Sequence, residues 1–326
     1  TNTLTFSKIN NLLGGTGADT FTFTGAYQLD GVRGIDGFQG TNVIVGPNDD
    51  TDWKLELNDQ GQLTPVDAIG QTKFFNINTL TAGTGIQTLA APNTSNTWTL
   101  TGDNAGNIND LTFSGIDRLI GGVEQDTLQA PNAVNTWIIT GNNKGTYNAN
   151  TTFQAINSLI GGTGVDTFTF NGLYQIDRIN GGGGTANVLI GPTEYTVWKL
   201  HSMTSGTLEK TNFENINTLT FSTAGNSLQG PNTTNTWNIT ANNTVTLNTV
   251  SYSNVTDIIG GNRNDTFTFD GIFQLDGLVG INGNQGYNII EGPTTPQSDW
   301  VIKGIKQGTI KINDTTPLIT NYSNIE

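Results

Sequence analysis

The sequence predicts an all-β fold, a parallel β-solenoid of stacked coils, on three observations. Helix signals are missing, aromatic residues recur at fixed offsets, and three short phrases return along the whole chain. The 42 glycines, with abundant Asn and Thr, favour turns and strands, because Gly and Asn accept positive φ and Thr is β-branched. No stretch combines helix caps with a 3.6-residue apolar period. Only 34% of the chain is AVILMFWYC, which allows a thin core. The regular placement of 15 Phe, 7 Tyr and 6 Trp argues for a folded chain over a disordered one.

The first phrase is Ala91-Pro92-Asn93 leading to Asn96-Thr97-Trp98, and it returns at Trp137 and Trp237. The second, Gly-Gly-x-x-x-Asp-Thr, ends at Thr20, Thr127, Thr167 and Thr266 and continues three times as Phe-Thr-Phe. The third precedes it, as in Phe153-Gln-Ala-Ile-Asn-Ser-Leu-Ile-Gly-Gly162 and Phe213-Glu-Asn-Ile-Asn-Thr-Leu219. Aligning them puts coil starts near 19, 41, 61, 87, 106, 126, 145, 166, 187, 206, 226, 244, 265, 286 and 307. A coil of about 20 residues suits a three-faced parallel β-helix, and about sixteen such coils at ~4.8 Å each make a rod of about 75 Å.

Strand alternation assigns the inside. In Trp53-Lys-Leu-Glu-Leu57 and Trp198-Lys-Leu200, Trp and Leu share one face and the charged residues the other, so the tryptophans are read as core and not as a sugar-stacking row. The same logic buries Phe21, Phe23, Phe168, Phe170, Phe267 and Phe269 and turns the intervening threonines outward. Neighbouring coils carry Asn42-Val-Ile-Val45 and Asn187-Val-Leu-Ile190, which interrupt the Thr array and argue against an ice-binding face.

The chain reads as one continuous solenoid over 1–326, with long units at about 14–82, 161–221 and 260–326 and short units at about 83–121, 122–160 and 222–259. It opens on Phe6-Ser-Lys-Ile-Asn-Asn-Leu-Leu and closes on the same phrase, Tyr322-Ser-Asn-Ile-Glu326, as a piece of a longer array would. The net charge of −14 repels nucleic-acid phosphate and anionic lipid. There is no cysteine for a disulfide framework or thiolate site, and no apolar run of about 20 residues to insert into a membrane. Any secretion signal is expected outside this segment.

Two features could carry chemistry. The turns Gly14-Gly-Thr-Gly-Ala-Asp19 and Gly161-Gly-Thr-Gly-Val-Asp166, with the altered copies ending at Asp126 and Asp265, nominate Asp19, Asp126, Asp166 and Asp265 as calcium ligands. The alternative is that these carboxylates bond turn amides. The acidic residues Asp49, Asp50, Asp52 and Asp67 are candidates for ligand-contacting loops, as are the irregular stretches 31–40, 47–52, 65–73 and 293–299. The single histidine, His201, and the scattered Arg33, Arg118, Arg178 and Arg263 form no recognisable catalytic group, so a non-enzymatic chain is expected, against a carbohydrate-active β-helix as the alternative.

Taken together, the Asn-Thr-Trp-x-Ile-Thr, Gly-Gly-x-Gly-x-Asp-Thr-Phe and Phe-x-x-Ile-Asn-x-Leu phrases resemble the β-strand-repeat arrays of large bacterial surface or secreted adhesins, of filamentous-haemagglutinin and RTX type. The resemblance spans the chain. It implies export to the cell surface or beyond, a right-handed parallel β-helix, and a structural or adhesive role with a host or matrix glycan or protein as partner. RTX rolls repeat their calcium turn every nine residues, whereas these Asp residues stand at least 39 apart.

Overall fold

The computed structural model describes residues 7–223, 225–294, 297–312 and 318–326, and among them the chain is all-β, with 36 strands and no helix. Phe6 of the opening phrase, and residues 295 and 296 of the stretch 293–299, fall outside the described residues. The chain divides into two compact units, Thr1–Gly164 and Val165–Glu326.

In the first unit the strands alternate between two sheets. One begins with Leu12–Leu13, Ile35–Asp36 and Thr72–Phe75 in parallel. It reverses through Gln60–Pro65 and Thr51–Leu57, continues in parallel through Gln87–Ala90, Arg118–Ile120 and Thr151–Gln154, and reverses again through Lys144–Tyr147 and Asn135–Gly141. The other stacks Thr20–Thr22, Val43–Val45, Thr79–Thr81 and Leu111–Ser114 in parallel, reverses through Ala105–Ile108 and Thr97–Gly102, and ends with Thr127–Gln129 and Ser158–Ile160 in parallel. The second unit repeats the plan, with meanders at Thr196–Ser202 to Thr211–Glu214, Thr236–Ala241 to Val250–Ser253, and Ser298–Gly304 to Leu318–Ser323. Parallel strands flank them, as where Asn226–Gln229, Asp257–Ile259 and Ile281–Asn282 stack in register. These are the parallel-rich, repeating sheets of a β-solenoid.

Every tryptophan strand therefore opens a three-stranded antiparallel meander, which departs from a uniform 20-residue coil. The segments beginning near 61, 106, 145, 206, 244 and 307 are middle strands running back against their predecessors. The cause is local. Two-residue turns, Asp103-Asn104, Asn142-Asn143 and Asn242-Asn243, reverse the chain with their second Asn at φ 56, 51 and 54, and short Asn-bearing turns are hairpin turns. Parallel neighbours consequently lie further apart. Trp98 faces Leu128 and Trp237 faces Phe267, 30 residues on.

The core is as the alternation indicates. Trp53, Trp98, Trp137, Trp198 and Trp237 are at most 1% exposed, with Leu55, Leu100, Ile139, Leu200 and Ile239 buried beside them. The middle strand runs close beneath the aromatics. A Cβ on Gly106 would meet the Thr99 carbonyl at 2.5 Å and the Phe113 ring at 3.0 Å, and Phe113 packs edge-on against Trp98 with centroids 5.8 Å apart. The repeated third phrase also has a backbone reason. Its third residue turns the corner with positive φ at Asn76, Gly115, Ala155, Asn215 and Asn254, and the following Ile77, Ile116, Ile156, Ile216 or Val255 drops into the core. Outward Thr20 and Thr22 lie beside Val43 and Val45, and Thr167 and Thr169 beside Val188 and Ile190, so hydroxyl rows are interrupted at the neighbouring strand.

Candidate functional site

The Gly-Gly turns are built by backbone crowding. The second glycine stacks on a proline carbonyl of the preceding repeat: a Cβ on Gly122, Gly162 or Gly261, or on Gly83 of the variant turn Ala82-Gly83, would sit closer than 3.0 Å to the carbonyl oxygen of Pro92, Pro131, Pro231 or Pro47. The first glycine of the pair faces the aspartate, and a Cβ on Gly121 would meet Asp126 Oδ2 at 2.7 Å. Gly-Gly and Pro thus occur together because two corners meet backbone to backbone.

Within that corner the carboxylates accept amide protons. The N–H groups of Gly15, Gly122 and Gly261 donate to Oδ2 of Asp19, Asp126 and Asp265 at 2.7, 2.8 and 2.8 Å. Oδ1 of Asp126 accepts from Asn96 N at 3.0 Å and Asn96 Nδ2 at 2.7 Å; Oδ1 of Asp265 accepts from Asn235 N at 2.9 Å and Nδ2 at 2.7 Å. The column continues through the backbone. The N–H groups of Asp19, Asp126, Asp166 and Asp265 donate to the Oδ1 atoms of Asn42, Asn157, Asn187 and Asn288 at 2.9–3.1 Å. A polar side chain is handed from each repeat to the next, satisfying amides that the tight corner would otherwise leave buried and unpaired.

Burial governs their ionisation. Desolvation raises the Asp126 and Asp265 carboxyls above the ordinary carboxylate value, against the lowering pull of the Asn96, Gly122, Asn235 and Gly261 donors, with Glu124 adding repulsion at Asp126. Asp36 goes the other way. Burial would raise it, but the Asn76 amide, the Phe38 N–H and the Arg33 guanidinium together hold it below its usual value.

Calcium takes about 6–8 oxygen ligands. Among the described residues no three His, Cys, Asp or Glu side chains converge closely enough to hold a metal ion, and Asp19, Asp126, Asp166 and Asp265 each belong to a Gly-Gly turn of their own. The four loop candidates also part company. Asp50 Oδ1 accepts the Ile86 N–H at 2.7 Å, the Asp49 carbonyl accepts Thr51 Oγ1 and Gln87 Nε2, and Asp67 is exposed in a turn. Asp52 is not in a loop: it lies on the outer face of Thr51–Leu57, between Thr64 and Thr88. His201 is exposed on Thr196–Ser202.

The outer face around Asp52 carries a group that linear reading misses. Lys73, Lys54, Arg118 and Lys144 fall on every second strand of the first unit's sheet, about 10 Å apart across the strands at the ~4.8 Å spacing, with Arg118 displaced two residues along its strand from the line of the three lysines. None forms an ion pair among the described residues. A shallow depression of about 280 Å³ lies beside Arg118 and Lys144, lined also by Asp52, Thr88, Thr152 and Gln154. The four cations are 90 residues apart in sequence from first to last, and only sheet order aligns them.

Compared with protein-family models, curated proteins and solved structures, the chain matches none. What it can do must be read from its own surfaces and corners.

Proposed function

We propose that this chain is a non-catalytic structural and adhesive segment of a large bacterial cell-surface or secreted protein, coiled as a right-handed β-solenoid. The observation that carries this reading is that corner amides of adjoining repeats donate to both oxygens of the buried Asp126 and Asp265 carboxylates, which commits these two to stacking repeats instead of to a reaction. Right-handedness follows the strong preference of crossovers between parallel strands. Meanders rich in outward Thr, Asn and Lys suit display in water.

The surface that favours a glycan partner is the cation row on Lys73, Lys54, Arg118 and Lys144. In a chain of net charge −14, unpaired cations on successive alternate strands fit a linear acidic polysaccharide. The test is retention on an immobilised sulfated polysaccharide, run beside a glycan array and a reducing-end release assay. Binding that weakens with salt and is lost in Lys54→Glu/Arg118→Glu supports adhesion; sugar release establishes a carbohydrate-active enzyme instead.

A further inference from the structure

Each long unit carries a further phrase one residue after its Phe-Thr-Phe: Gly25-Ala-Tyr-Gln-Leu-Asp30, Gly172-Leu-Tyr-Gln-Ile-Asp177 and Gly271-Ile-Phe-Gln-Leu-Asp276. The three loops are held alike. The N–H of the aromatic residue, Tyr27, Tyr174 or Phe273, donates to the carbonyl of the phrase's own glycine at 2.7, 2.8 and 3.1 Å. Two residues on, the N–H of Leu29, Ile176 or Leu275 donates to Oγ1 of a buried threonine in the third strand of that unit's meander, Thr72, Thr211 or Thr320, at 2.8, 3.3 and 3.0 Å.

What this bracing holds out is an aromatic ring in water. Tyr27 is 69% exposed; Tyr174, in the middle of the chain, is 40% exposed with Leu173 beside it at 59%. In the third copy Phe273 is half-buried next to exposed Ile272. The glycine sets the ring's position. A Cβ on Gly25, Gly172 or Gly271 would meet ring atom Cε2 of Tyr27, Tyr174 or Phe273 at 3.1, 2.9 and 3.1 Å, and Gly172 and Gly271 have φ 125 and 138. Each ring therefore rests one flank on its own loop, in a chain that otherwise places its tryptophans and most phenylalanines in the core. A glutamine follows each ring and an aspartate stands three residues beyond it, Gln175 Nε2 donating to Asp177 Oδ1 at 3.2 Å.

We propose that these loops are stacking platforms for an uncharged polysaccharide, one sugar ring to a loop, a ligand class different from the acidic glycan of the cation row. A pyranose offers a face of C–H groups to an aromatic ring and a rim of hydroxyls to an amide and a carboxylate. A ring already fixed against its glycine loses little freedom on binding. The charge of the sugar follows from Asp30, Asp177 and Asp276. Three residues of chain put each carboxylate within about 11 Å of its ring's backbone, near the ~10 Å screening length at 0.1 M salt, so an anionic sugar is repelled. A lone ring among polar side chains also falls short of the packed, desolvated cluster on which protein partners dock.

The test is native electrophoresis of the full chain through gels cast with a soluble neutral polysaccharide: mixed-linkage β-glucan, xyloglucan, galactomannan or dextran. The expected result is retardation in at least one of them that persists in high salt, whereas binding at the cation row weakens with salt. Tyr174→Ala weakens the interaction by up to about tenfold, and Tyr27→Ala/Tyr174→Ala/Phe273→Ala abolishes it. Tyr174→Trp, which keeps a ring, keeps the retardation, and this separates stacking from damage to the loop. Retardation in none of the four gels, a triple variant retarded like the parent, equal loss in Tyr174→Trp and Tyr174→Ala, or retardation abolished by salt each overturns the proposal.

Discussion

Asp126→Ala separates the two meanings of the Gly-Gly turn. The substitution removes an acceptor from three donors: the Asn96 N–H, the Asn96 side-chain amide and the Gly122 N–H. The Asn96 amide still reaches the Pro92 and Thr94 carbonyls, so two backbone N–H groups are orphaned, that of buried Asn96 and that of half-buried Gly122. At about 1–3 kcal/mol for each buried unpaired donor, the expected loss is about 2–6 kcal/mol, reduced by relief of the buried charge. Asp126→Asn keeps an acceptor for Asn96 but turns a donor toward Gly122, so about half of the loss is expected. The measurement is urea unfolding followed by tryptophan fluorescence, with amide exchange at Asn96 and Gly122 as the local readout, in calcium and in EDTA. Identical losses in both solutions are expected. A loss that disappears in EDTA, or a melting temperature that EDTA alone lowers by more than a few degrees, refutes the amide role and restores a metal site.

The other expectations use the same geometry. Gly162→Ala pushes a methyl group into the Pro131 carbonyl and costs about 1–3 kcal/mol, whereas Gly102→Ala, with nothing within 4 Å, leaves the unfolding midpoint unchanged; equal midpoints for the two would reject the close-approach account. Trp53→Phe destabilises more than Trp98→Phe, because Trp53 Nε1 donates to buried Gln87 Oε1 at 2.9 Å while Trp98 Nε1 has no partner to lose; matched denaturation curves check the order, and its reversal counts against the bond. Asp126 and Asp265 are raised above 3.8 in the fold, so their contribution is complete below that value and is lost as pH rises through the folded value. Asp36, lowered, contributes above 3.8 and loses that as pH falls through its folded value. The free energy of unfolding therefore falls less steeply from about pH 4 to neutrality in Asp126→Asn/Asp265→Asn than in the parent; an unchanged slope shows that burial does not shift these groups.

Much of this was legible in the sequence because it is local. Trp137 and Ile139, two residues apart, declare a buried face without help from any distant residue. The meanders were encoded too, in turns such as Asn142-Asn143, but their strands recur at nearly the spacing a simple coil would have, so length alone could not tell a reversal from another lap. The aspartates were half legible. Asp126 sits in a turn that resembles a calcium loop, while the group that explains it, Asn96, belongs to the preceding repeat and becomes its partner only through parallel pairing. The cations around Arg118 are not legible in the sequence for the same reason, because strands from separate repeats must be laid side by side before the group exists.

The reversal of the chain in each meander has a kinetic meaning. A hairpin such as Thr97–Gly102 with Ala105–Ile108 closes over two residues, so it loses little loop entropy and forms without waiting for the rest. Long-range parallel strands, which slip easily when alone, then find a template at each outer edge, as Thr79–Thr81 does beside Leu111–Ser114 and Thr127–Gln129 does beside Thr97–Gly102. The meanders are thus pre-assembled rulers spaced along the chain. They let a protein made of near-identical laps tell one lap from the next while it folds.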